Sequence, residues 1–293
     1  MSGTTELERL YSVIEKSARM MGVPCSRAKV WPILTAYEAV IPQAAIYFRV
    51  ETGARRAGDF HCFVTMIPKD VDPYALAVSN GLTAKTDHPV DALGSDIAGR
   101  CPIDNYGIDF GVVGGFTKIY RFFPKDDRQE LSRLAGISSM PRSLEKNAGF
   151  FARHGVYDLG LTATDYQSKT VNVYSKLPDG YLNPETITSM LREIGLPDPS
   201  EQMLKLCQKA GVFYATLSWD SPRIERVCFS AVTADPMALT PRLDPEIEQF
   251  ARNIPFSDAA NRKFRLNLAS SPDGEYYKIT AFYRSPPNDW QWR

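Results

Sequence analysis

Four of the basic side chains in strand-like segments fall on the more polar face of their strand; they are Arg49, Lys118, Arg226 and Lys278. Alternate residues of a strand face the same side, so Tyr120 shares a face with Lys118. Clustered arginine and lysine side chains suit phosphate oxygens, and aromatic faces stabilise carbocations. A diphosphate that departs and leaves a cation behind needs both features together. The pattern therefore predicts a site that ionises an allylic diphosphate.

Further polar and aromatic residues extend this face onto other strand-like segments. Asn172 and Tyr174 share one face of their segment, and Tyr214 is placed in the same way on the next segment. Tyrosine hydroxyls and an asparagine amide can add neutral hydrogen-bond donors for phosphate. An alternative interpretation makes this face the solvated outside of the sheet. We favour an interior face, because helices on the other side need an apolar surface to cover.

Five pairs of strand-like segments must position these residues. β-branched and aromatic residues alternate with polar ones in each pair, and Gly, Pro or Asp stands at most bends. The pairs recur about every 50 residues, which indicates a repeated architecture. The predicted strands are 45–51 with 60–67, 106–112 with 117–123, 159–166 with 170–176, 212–219 with 223–233, and 263–269 with 275–283.

Helical patterns lie before, between and after the strand pairs. They cover 6–21, 27–40, 72–80, 90–99, 127–134, 144–153, 184–194, 200–209 and 244–253. We predict an α+β fold in which ten antiparallel strands close into a barrel with the helices outside, because closure removes the exposed edges of so large a sheet. Such a barrel is wider than side chains alone can fill, so we expect a lumen. No linker-like segment interrupts the pattern, and residues 1–293 are predicted to form a single domain.

The composition excludes several classes of function. The 34 Lys and Arg residues balance 34 Asp and Glu residues, which argues against a nucleic-acid-binding surface and against a polybasic membrane anchor. The sequence shows no signal peptide and no apolar stretch long enough to span a bilayer. Its 5 Cys, without a CxxC pair, and its 3 His argue against a disulfide framework or a zinc site. We expect a cytoplasmic monomer that binds small molecules, with no nucleic-acid or membrane partner.

One acidic motif suggests a different chemistry. The run Asp126-Asp127-Arg128-Gln129-Glu130 is similar to the DDxxD/E motif of helical isoprenoid synthases, which bind diphosphate through Mg²⁺. Acidic residues also favour the first turn of a helix, and we interpret the run as a helix start. A Mg²⁺-dependent terpene synthase stays an alternative, although its all-helical fold conflicts with ten predicted strands.

The chain resembles the aromatic prenyltransferases of the ABBA, or PT-barrel, type, and most closely the bacterial branch that prenylates naphthalene-derived polyketides, quinones and phenazines. The resemblance extends through nearly the whole chain and implies a barrel of ten antiparallel strands built from five ααββ repeats. The segments that carry it include Gly22-Val23-Pro24-Cys25-Ser26-Arg27, Gly114-Gly115-Phe116-Thr117-Lys118-Ile119-Tyr120, Val171-Asn172-Val173-Tyr174, Arg226-Val227-Cys228-Phe229 and Glu275-Tyr276-Tyr277-Lys278.

The resemblance also implies a role for each group of site residues. The residues implied to bind the diphosphate are Lys118, Asn172, Tyr214, Arg226 and Lys278. The residues implied to shield and stabilise the allyl cation are Tyr120, Tyr174 and Tyr214. The residues implied to lie beside the aromatic acceptor are Gly160, Thr162, Val212, Ser230 and Phe282.

The first hairpin departs from the pattern of the Mg²⁺-dependent members. Those members carry an aspartate at the position aligned with His61, or with Cys62 if the register shifts by one residue. Imidazole is a poor Mg²⁺ ligand beside a phosphate, because Mg²⁺ prefers oxygen. Arg49 could supply the positive charge instead. We therefore predict catalysis without Mg²⁺, with no metal site and no cofactor.

The predicted enzyme transfers a geranyl or dimethylallyl group from an allylic diphosphate to an electron-rich aromatic acceptor in secondary metabolism. The expected acceptors are dihydroxynaphthalenes, flaviolin-like compounds or phenazines. Resemblance to naphthoquinone geranyltransferases alone favours a geranyl donor. The alternative function is a non-catalytic carrier barrel for a small aromatic ligand, although a carrier lumen would not need several converging cations.

Overall fold

The computed structural model describes residues 3–52, 58–178, 180–238 and 245–285. Its helices are α1 (Gly3–Met20), α2 (Arg27–Ala36), α3 (Pro73–Ser79), α4 (Val90–Arg100), α5 (Leu131–Ala135), α6 (Ser143–Lys146), α7 (Ala148–Arg153), α8 (Pro184–Glu193), α9 (Glu201–Cys207) and α10 (Pro245–Asn253). Its strands are β1 (Ala45–Glu51), β2 (His61–Pro68), β3 (Asn105–Gly111), β4 (Gly115–Phe122), β5 (Gln129–Glu130), β6 (Asp158–Leu159), β7 (Leu161–Asp165), β8 (Thr170–Lys176), β9 (Val212–Ser218), β10 (Ile224–Thr233), β11 (Phe264–Ser271) and β12 (Gly274–Arg284).

Ten of these strands form a closed barrel, and β5 with β6 forms a separate two-stranded ladder. The order around the barrel is β1, β12, β11, β10, β9, β8, β7, β4, β3 and β2. All ten neighbouring pairs are antiparallel, and β1 pairs with both β2 and β12. The first and last strands therefore close the sheet, which leaves no free edge. The predicted ten-stranded antiparallel barrel is confirmed.

The two faces of the barrel wall have different compositions. On β1, Ile46 and Phe48 belong to a buried apolar layer shared with α1, α2 and α10, whereas Tyr47 and Arg49 line the lumen. A second apolar layer forms where the helices from α4 through α9 pack on the outer faces of strands β8, β9, β10 and β11. A fully buried Leu, Ile or Phe contributes about 1.5–3 kcal/mol. Hydrophobic stabilisation therefore comes mainly from the contact between helices and wall, and the lumen is left free to carry polar groups.

Three predicted elements differ from the structure. The helix predicted over 127–134 begins only at Leu131, because Gln129 and Glu130 are extended and pair with Leu159 and Asp158. The helix predicted over 144–153 is divided into α6 and α7 at Asn147. The strand predicted over 159–166 is divided at Gly160 into β6 and β7. Part of the first hairpin's turn (53–57) and the predicted helix start at 244 lie outside the described residues.

None of the helices in the described ranges is both long enough and apolar enough to cross a membrane.

Candidate active site

One half of the lumen is lined by basic side chains from four strands. Arg49, Lys118 and Lys278 line the cavity directly, and Arg226 shares the inward face of β10 with Cys228 and Ser230. All but Arg49 are no more than 9% exposed. The structure thus brings together in one interior the basic residues that the sequence placed on separate strands. Their part in binding a diphosphate stays a prediction.

A line of hydrogen bonds connects the basic half to the tyrosines. Arg226 Nε donates to Thr216 Oγ1 at 3.0 Å, and the Thr216 hydroxyl donates to Asn172 Oδ1 at 2.8 Å. The Asn172 amide in turn donates to the Tyr174 hydroxyl at 3.1 Å. Because each side chain is positioned by the next, the Arg226 guanidinium and the Tyr174 ring are held in a fixed relation. Neutral donors beside a cation suit an anion whose charge is spread over several oxygens.

Asp109 on β3 is the buried carboxylate that organises the same half, and it was not identified from the sequence. Its Oδ2 accepts a hydrogen bond from Arg49 Nη2 at 2.5 Å and from the Tyr120 hydroxyl at 3.2 Å. Its Oδ1 lies 2.8 Å from His61 Nδ1. Burial alone would raise the pKa of Asp109, but Arg49 and His61 hold it well below its ordinary value. The carboxyl is therefore ionised at neutral pH, and it fixes Arg49, His61 and Tyr120 together.

Two further carboxylates lie beside the lysines. Lys118 Nζ is 3.5 Å from Asp165, and Lys278 Nζ is 3.2 Å from Glu51. Pairing of this kind offsets the cost of withdrawing an ammonium group from water. Arg226 differs, because its guanidinium makes no ion pair with a carboxylate in the part of the chain that the structure describes. Arg226 is therefore the basic group in this half whose charge is most open to an incoming anion.

A continuous series of aromatic rings runs from this half into the other half of the lumen. Tyr214 and Tyr174 have ring centroids 4.5 Å apart, Tyr174 and Tyr120 are 6.4 Å apart, and Tyr120 and Phe63 are 4.4 Å apart. Burial raises the pKa of Tyr174 to about 12 and also raises the pKa values of Tyr120 and Tyr214. The three tyrosines are therefore neutral, so their rings and hydroxyls can face a cation and an anion respectively.

The other half of the lumen is mainly apolar. Tyr47 continues the aromatic series, with centroid distances of 5.3 Å to Phe63 and 4.8 Å to Phe282. Phe122, Leu161 and Ala163 complete this wall. Val212, Ser230 and Phe282, which the family resemblance implied beside the acceptor, all face this interior, and Ser230 donates to Asn267 Oδ1 at 2.6 Å. Their role in acceptor binding stays a prediction.

The predicted lumen position of Thr162 is wrong. Residues directly opposite each other in antiparallel strands point to the same face. Tyr120, which faces the lumen, lies opposite Ala163, whereas Arg121 lies opposite Thr162. The Arg121 guanidinium is on the helix side of the wall, where it donates to Thr164 Oγ1 at 2.9 Å and reaches α4. Thr162 therefore faces the outer layer, and Ala163 occupies the lumen position.

Gly160 stands in the wall itself. Its N–H donates to the carbonyl of Tyr174 at 2.9 Å, and its carbonyl accepts from the N–H of Phe123 at 3.0 Å. Both backbone groups are thus used to join neighbouring strands, and the residue has no side chain to offer a ligand. Its proposed place beside the acceptor stays a prediction.

The position aligned with the aspartate of Mg²⁺-dependent members is occupied by His61. The His61 ring faces the interior beside Asp109, whereas Cys62 belongs to the outer apolar layer. Because Arg49 and His61 already engage both oxygens of Asp109, these residues do not fit an Mg²⁺ ion, which needs free oxygen ligands. The described residues contain no cluster of three or more His, Cys, Asp and Glu side chains suited to a metal.

A larger cavity, of about 750 Å³, lies outside the barrel beside α3 and α4, whereas the space left open in the lumen is only about 60 Å³. Arg121 is the basic residue buried in the outer cavity, and Asp72 and Asp91 stand on its walls. Among the described residues, its lining includes two tyrosines, Tyr74 and Tyr106, with the cations Lys85 and Arg121, fewer of each than the lumen has. We therefore place the candidate active site by its chemistry and not by its volume.

The acidic motif that begins at Asp126 also lies outside the barrel, where Asp126 and Asp127 are exposed.

A closed antiparallel barrel that holds converging cations and a series of tyrosines defines an enzyme of the PT-barrel class. Comparisons with known proteins agree. The chain matches the family model described as Aromatic prenyltransferase Orf2 over residues 5–288. Among solved structures, a 6-dimethylallyl tryptophan synthase has a TM-score of 0.59 at 13% sequence identity, covering 95% of this chain and 97% of that chain, which is a likeness of fold.

Two curated relatives are similar over nearly their whole length. One is a 5,10-dihydrophenazine-1-carboxylate 9-dimethylallyltransferase from Streptomyces anulatus, 47% identical over 287 residues, which are 97% of this chain and 95% of the relative. The other is a flaviolin linalyltransferase from Streptomyces virginiae, 44% identical over 294 aligned residues, which are 100% of this chain and 95% of the relative. The chain therefore belongs to the Orf2 family of aromatic prenyltransferases, and the predicted family and enzyme class are confirmed.

Proposed function

We propose that the enzyme transfers a geranyl or dimethylallyl group from its diphosphate to an electron-rich aromatic ring inside the lumen, without Mg²⁺. The observation that carries the proposal is the placement of four basic side chains directly beside three neutral tyrosines in one interior. Hydroxynaphthalene and phenazine compounds are the proposed acceptors, because the two relatives are named for activity on flaviolin and on a dihydrophenazine carboxylate. We propose a monomer that binds only small molecules, because strands of a single chain close the barrel in the described residues.

Ionisation of the donor is the first step of the proposed mechanism. The bond between the allylic carbon and the diphosphate oxygen breaks, and both electrons leave with the diphosphate. Lys118, Arg226 and Lys278, with the Asn172 amide and the Tyr214 hydroxyl, stabilise the charge that develops on the leaving oxygens. Fixed charges in a site shielded from water are usually the largest contribution to catalysis of this type.

Capture of the allyl cation follows beside the tyrosines. The faces of Tyr120, Tyr174 and Tyr214 stabilise the cation through their ring quadrupoles and exclude water that would otherwise add to it. A carbon or hydroxyl oxygen of the aromatic acceptor then forms the new bond. The acceptor loses one proton, which passes to water or to the released diphosphate. In the described part of the lumen, burial raises the pKa of Cys228 to about 11, so its thiol is not the base.

Metal independence is proposed because charges of the chain itself take the place of a metal. His61 is aligned with the aspartate of the Mg²⁺-dependent members, Arg49 lies opposite it on β1, and Asp109 contacts both side chains. We expect an excess of EDTA to change turnover by less than about twofold. A requirement for added Mg²⁺ would overturn this part of the proposal.

The decisive assay incubates the protein with geranyl or dimethylallyl diphosphate and a dihydroxynaphthalene, with and without EDTA. Pyrophosphate release, together with a product heavier by one prenyl group, is the expected result. Binding of the aromatic compound without pyrophosphate release would instead favour a carrier. Extending the assay to a panel of donors and acceptors, read by mass spectrometry, would define the chain length and the acceptor.

A further inference from the structure

Arg265 on β11 is a lumen residue to which the family resemblance assigned no role. It lies opposite Thr280 on β12 and opposite Val232 on β10, and its side chain lines the same cavity as Val212 and Asn267. The guanidinium carbon is 5.6 Å from the centre of the Phe282 ring. Arg265 therefore places a positive charge in the apolar half of the lumen.

The Arg265 charge has no carboxylate partner in the described part of the chain. The Arg265 guanidinium packs near the Phe282 ring, whereas Arg49, Lys118 and Lys278 are each within 4 Å of a carboxylate. Burial lowers the pKa of Arg265, although arginine stays charged at neutral pH. A guanidinium that is partly shielded from water inside a lumen, without a counter-charge, costs stability in a folded protein. Such a group is expected where a ligand supplies the missing negative charge.

Arg265 and Lys278 are directed toward different parts of the lumen. The ammonium group of Lys278 is directed toward Glu51 and the Tyr276 ring, at 3.2 and 5.3 Å. Arg265 lies opposite Thr280, two residues beyond Lys278 on β12. Its guanidinium is directed toward Phe282, four residues beyond Lys278, which corresponds to roughly 13 Å of strand. The aromatic series from Tyr214 to Phe282 runs from the basic half to the ring that Arg265 contacts.

We propose that Arg265 binds an acidic group on the aromatic acceptor, so that the preferred acceptors are anions carrying a carboxylate or an acidic ring hydroxyl. The proposal rests on the prenyl-transfer function, because that function assigns the apolar half of the lumen to the acceptor. The planar guanidinium can donate two parallel hydrogen bonds to a carboxylate while its face packs on Phe282. Arg265 would then fix which ring carbon faces the allyl cation, and so the site of prenylation.

The test compares 1,4-dihydroxy-2-naphthoate, 2-hydroxy-1,4-naphthoquinone and the neutral 1,4-dihydroxynaphthalene as acceptors for the wild type, Arg265→Met and Arg265→Lys. At saturating geranyl diphosphate, Arg265→Met should lower kcat/KM by about 10- to 100-fold for whichever anion the wild type prefers, the range expected for a charge-assisted hydrogen bond. The neutral acceptor should lose less than about threefold, and Arg265→Lys should recover part of the activity with the anion. The two anions separate a carboxylate from an acidic hydroxyl as the recognised group.

Other outcomes would overturn the inference. An equal loss with anionic and neutral acceptors, or a wild type without preference for an anion, contradicts it. A raised KM for geranyl diphosphate alone would assign Arg265 to the donor. Calorimetric titration of each anion into the wild type and Arg265→Met, without a donor, measures binding even if no acceptor is prenylated, which separates this inference from the proposed function. Arg265→Gln repeats the comparison if thermal melting shows that the methionine variant is unfolded.

Discussion

The two halves of the lumen use the same barrel wall in different ways. In the basic half, Arg49, Lys118 and Lys278 are each held by a carboxylate, and Asp109 alone contacts Arg49, His61 and Tyr120. In the other half, aromatic and aliphatic side chains predominate and Arg265 contacts a ring instead of an acid. The first half is therefore arranged before any ligand arrives, whereas the second half leaves its charge for a ligand to neutralise.

Because of this difference, the two ends of the lumen favour different parts of a substrate. In the proposed mechanism the diphosphate is stabilised in the basic half, and the prenyl chain lies along the rings that lead away from it. The donor would then bind in one orientation, with its reactive carbon near Tyr120, Tyr174 and Tyr214. Variants in each half test this contrast.

Removing the charge of Asp109 should damage the basic half most. Asp109→Asn leaves Arg49 and His61 buried beside a neutral amide, and we expect a loss of about 3–5 kcal/mol in the free energy of unfolding. Chemical denaturation measures the loss. Asp198→Asn is the matched control, because Asp198 pairs with Arg192 at the exposed surface and should matter far less. Equal losses of unfolding free energy in the two variants would contradict the view that Asp109 stabilises the basic half.

Asp109 also predicts how stability depends on pH. Its pKa is well below the ordinary value in the folded protein, so its contribution is complete above about pH 4, the pKa region of an unfolded aspartate. The contribution is lost as the pH falls from there through the folded-state pKa. The free energy of unfolding should therefore differ less between pH 6 and pH 3 in Asp109→Asn than in the wild type. Chemical denaturation at both pH values measures this difference. An unchanged difference would argue against an ionised Asp109.

Arg226 tests whether the basic half acts on the leaving group. Arg226→Met removes the basic group of that half without a carboxylate partner, and kcat/KM for the diphosphate should fall about 100-fold, as for the loss of one donor to a developing anion. The loss should be equal for anionic and neutral acceptors. Arg223→Met, at an exposed position before β10, is the control and should be near the wild type. Steady-state pyrophosphate release measures both variants.

Tyr174 joins the two halves and should show an intermediate effect. Tyr174→Leu removes the ring, and we expect turnover to fall about tenfold if the ring stabilises the allyl cation. Tyr174→Phe keeps the ring and loses only the hydrogen bond from Asn172, so its loss should be much smaller. Rapid-quench measurement of product formation separates this step from product release. Similar losses in the two variants would indicate that the hydroxyl, and not the ring, is the important group.

Thr162 should show the smallest effect. Its hydroxyl is buried on the outer side of the wall, and it has no hydrogen-bond partner among the described residues. Thr162→Val removes that unsatisfied group, so the free energy of unfolding should rise by up to about 1 kcal/mol. Turnover should be unchanged with every acceptor. A selective loss with one acceptor would return Thr162 to the acceptor site.

The fold could be predicted from the sequence because strand alternation and turn residues repeat five times along the chain. The same alternation located the basic residues, which stand out among apolar neighbours. It failed for Thr162, because the more polar face of a strand was assumed to be the inner one. On β7 the inner face carries Leu161 and Ala163, and the outer Thr164 is satisfied by Arg121. Only the pairing of β7 with β4 distinguishes the two faces.

The lumen roles of Asp109 and Arg265 could not be assigned from the sequence for a related reason. Asp109 alternates with Ile108 and Phe110, and Arg265 alternates with Leu266, so each carries a signal of facing inward. The sequence does not indicate which side chain each of these two charged groups contacts in the folded protein. Asp109 meets Arg49 across two strand pairings, β1 with β2 and β2 with β3, and no local pattern encodes that contact.

Closure of the barrel by β1 and β12 has a consequence for synthesis of the protein. Phe48 pairs with Ala281, so residues 233 positions apart in the sequence must meet before the wall is complete. Lys278 and Glu51, which belong to the basic half, are neighbours across the same seam. Contacts this distant in sequence form slowly, and they cannot form while the last hairpin is still inside the ribosome. The nascent chain therefore has no closed lumen until its last hairpin has left the ribosome.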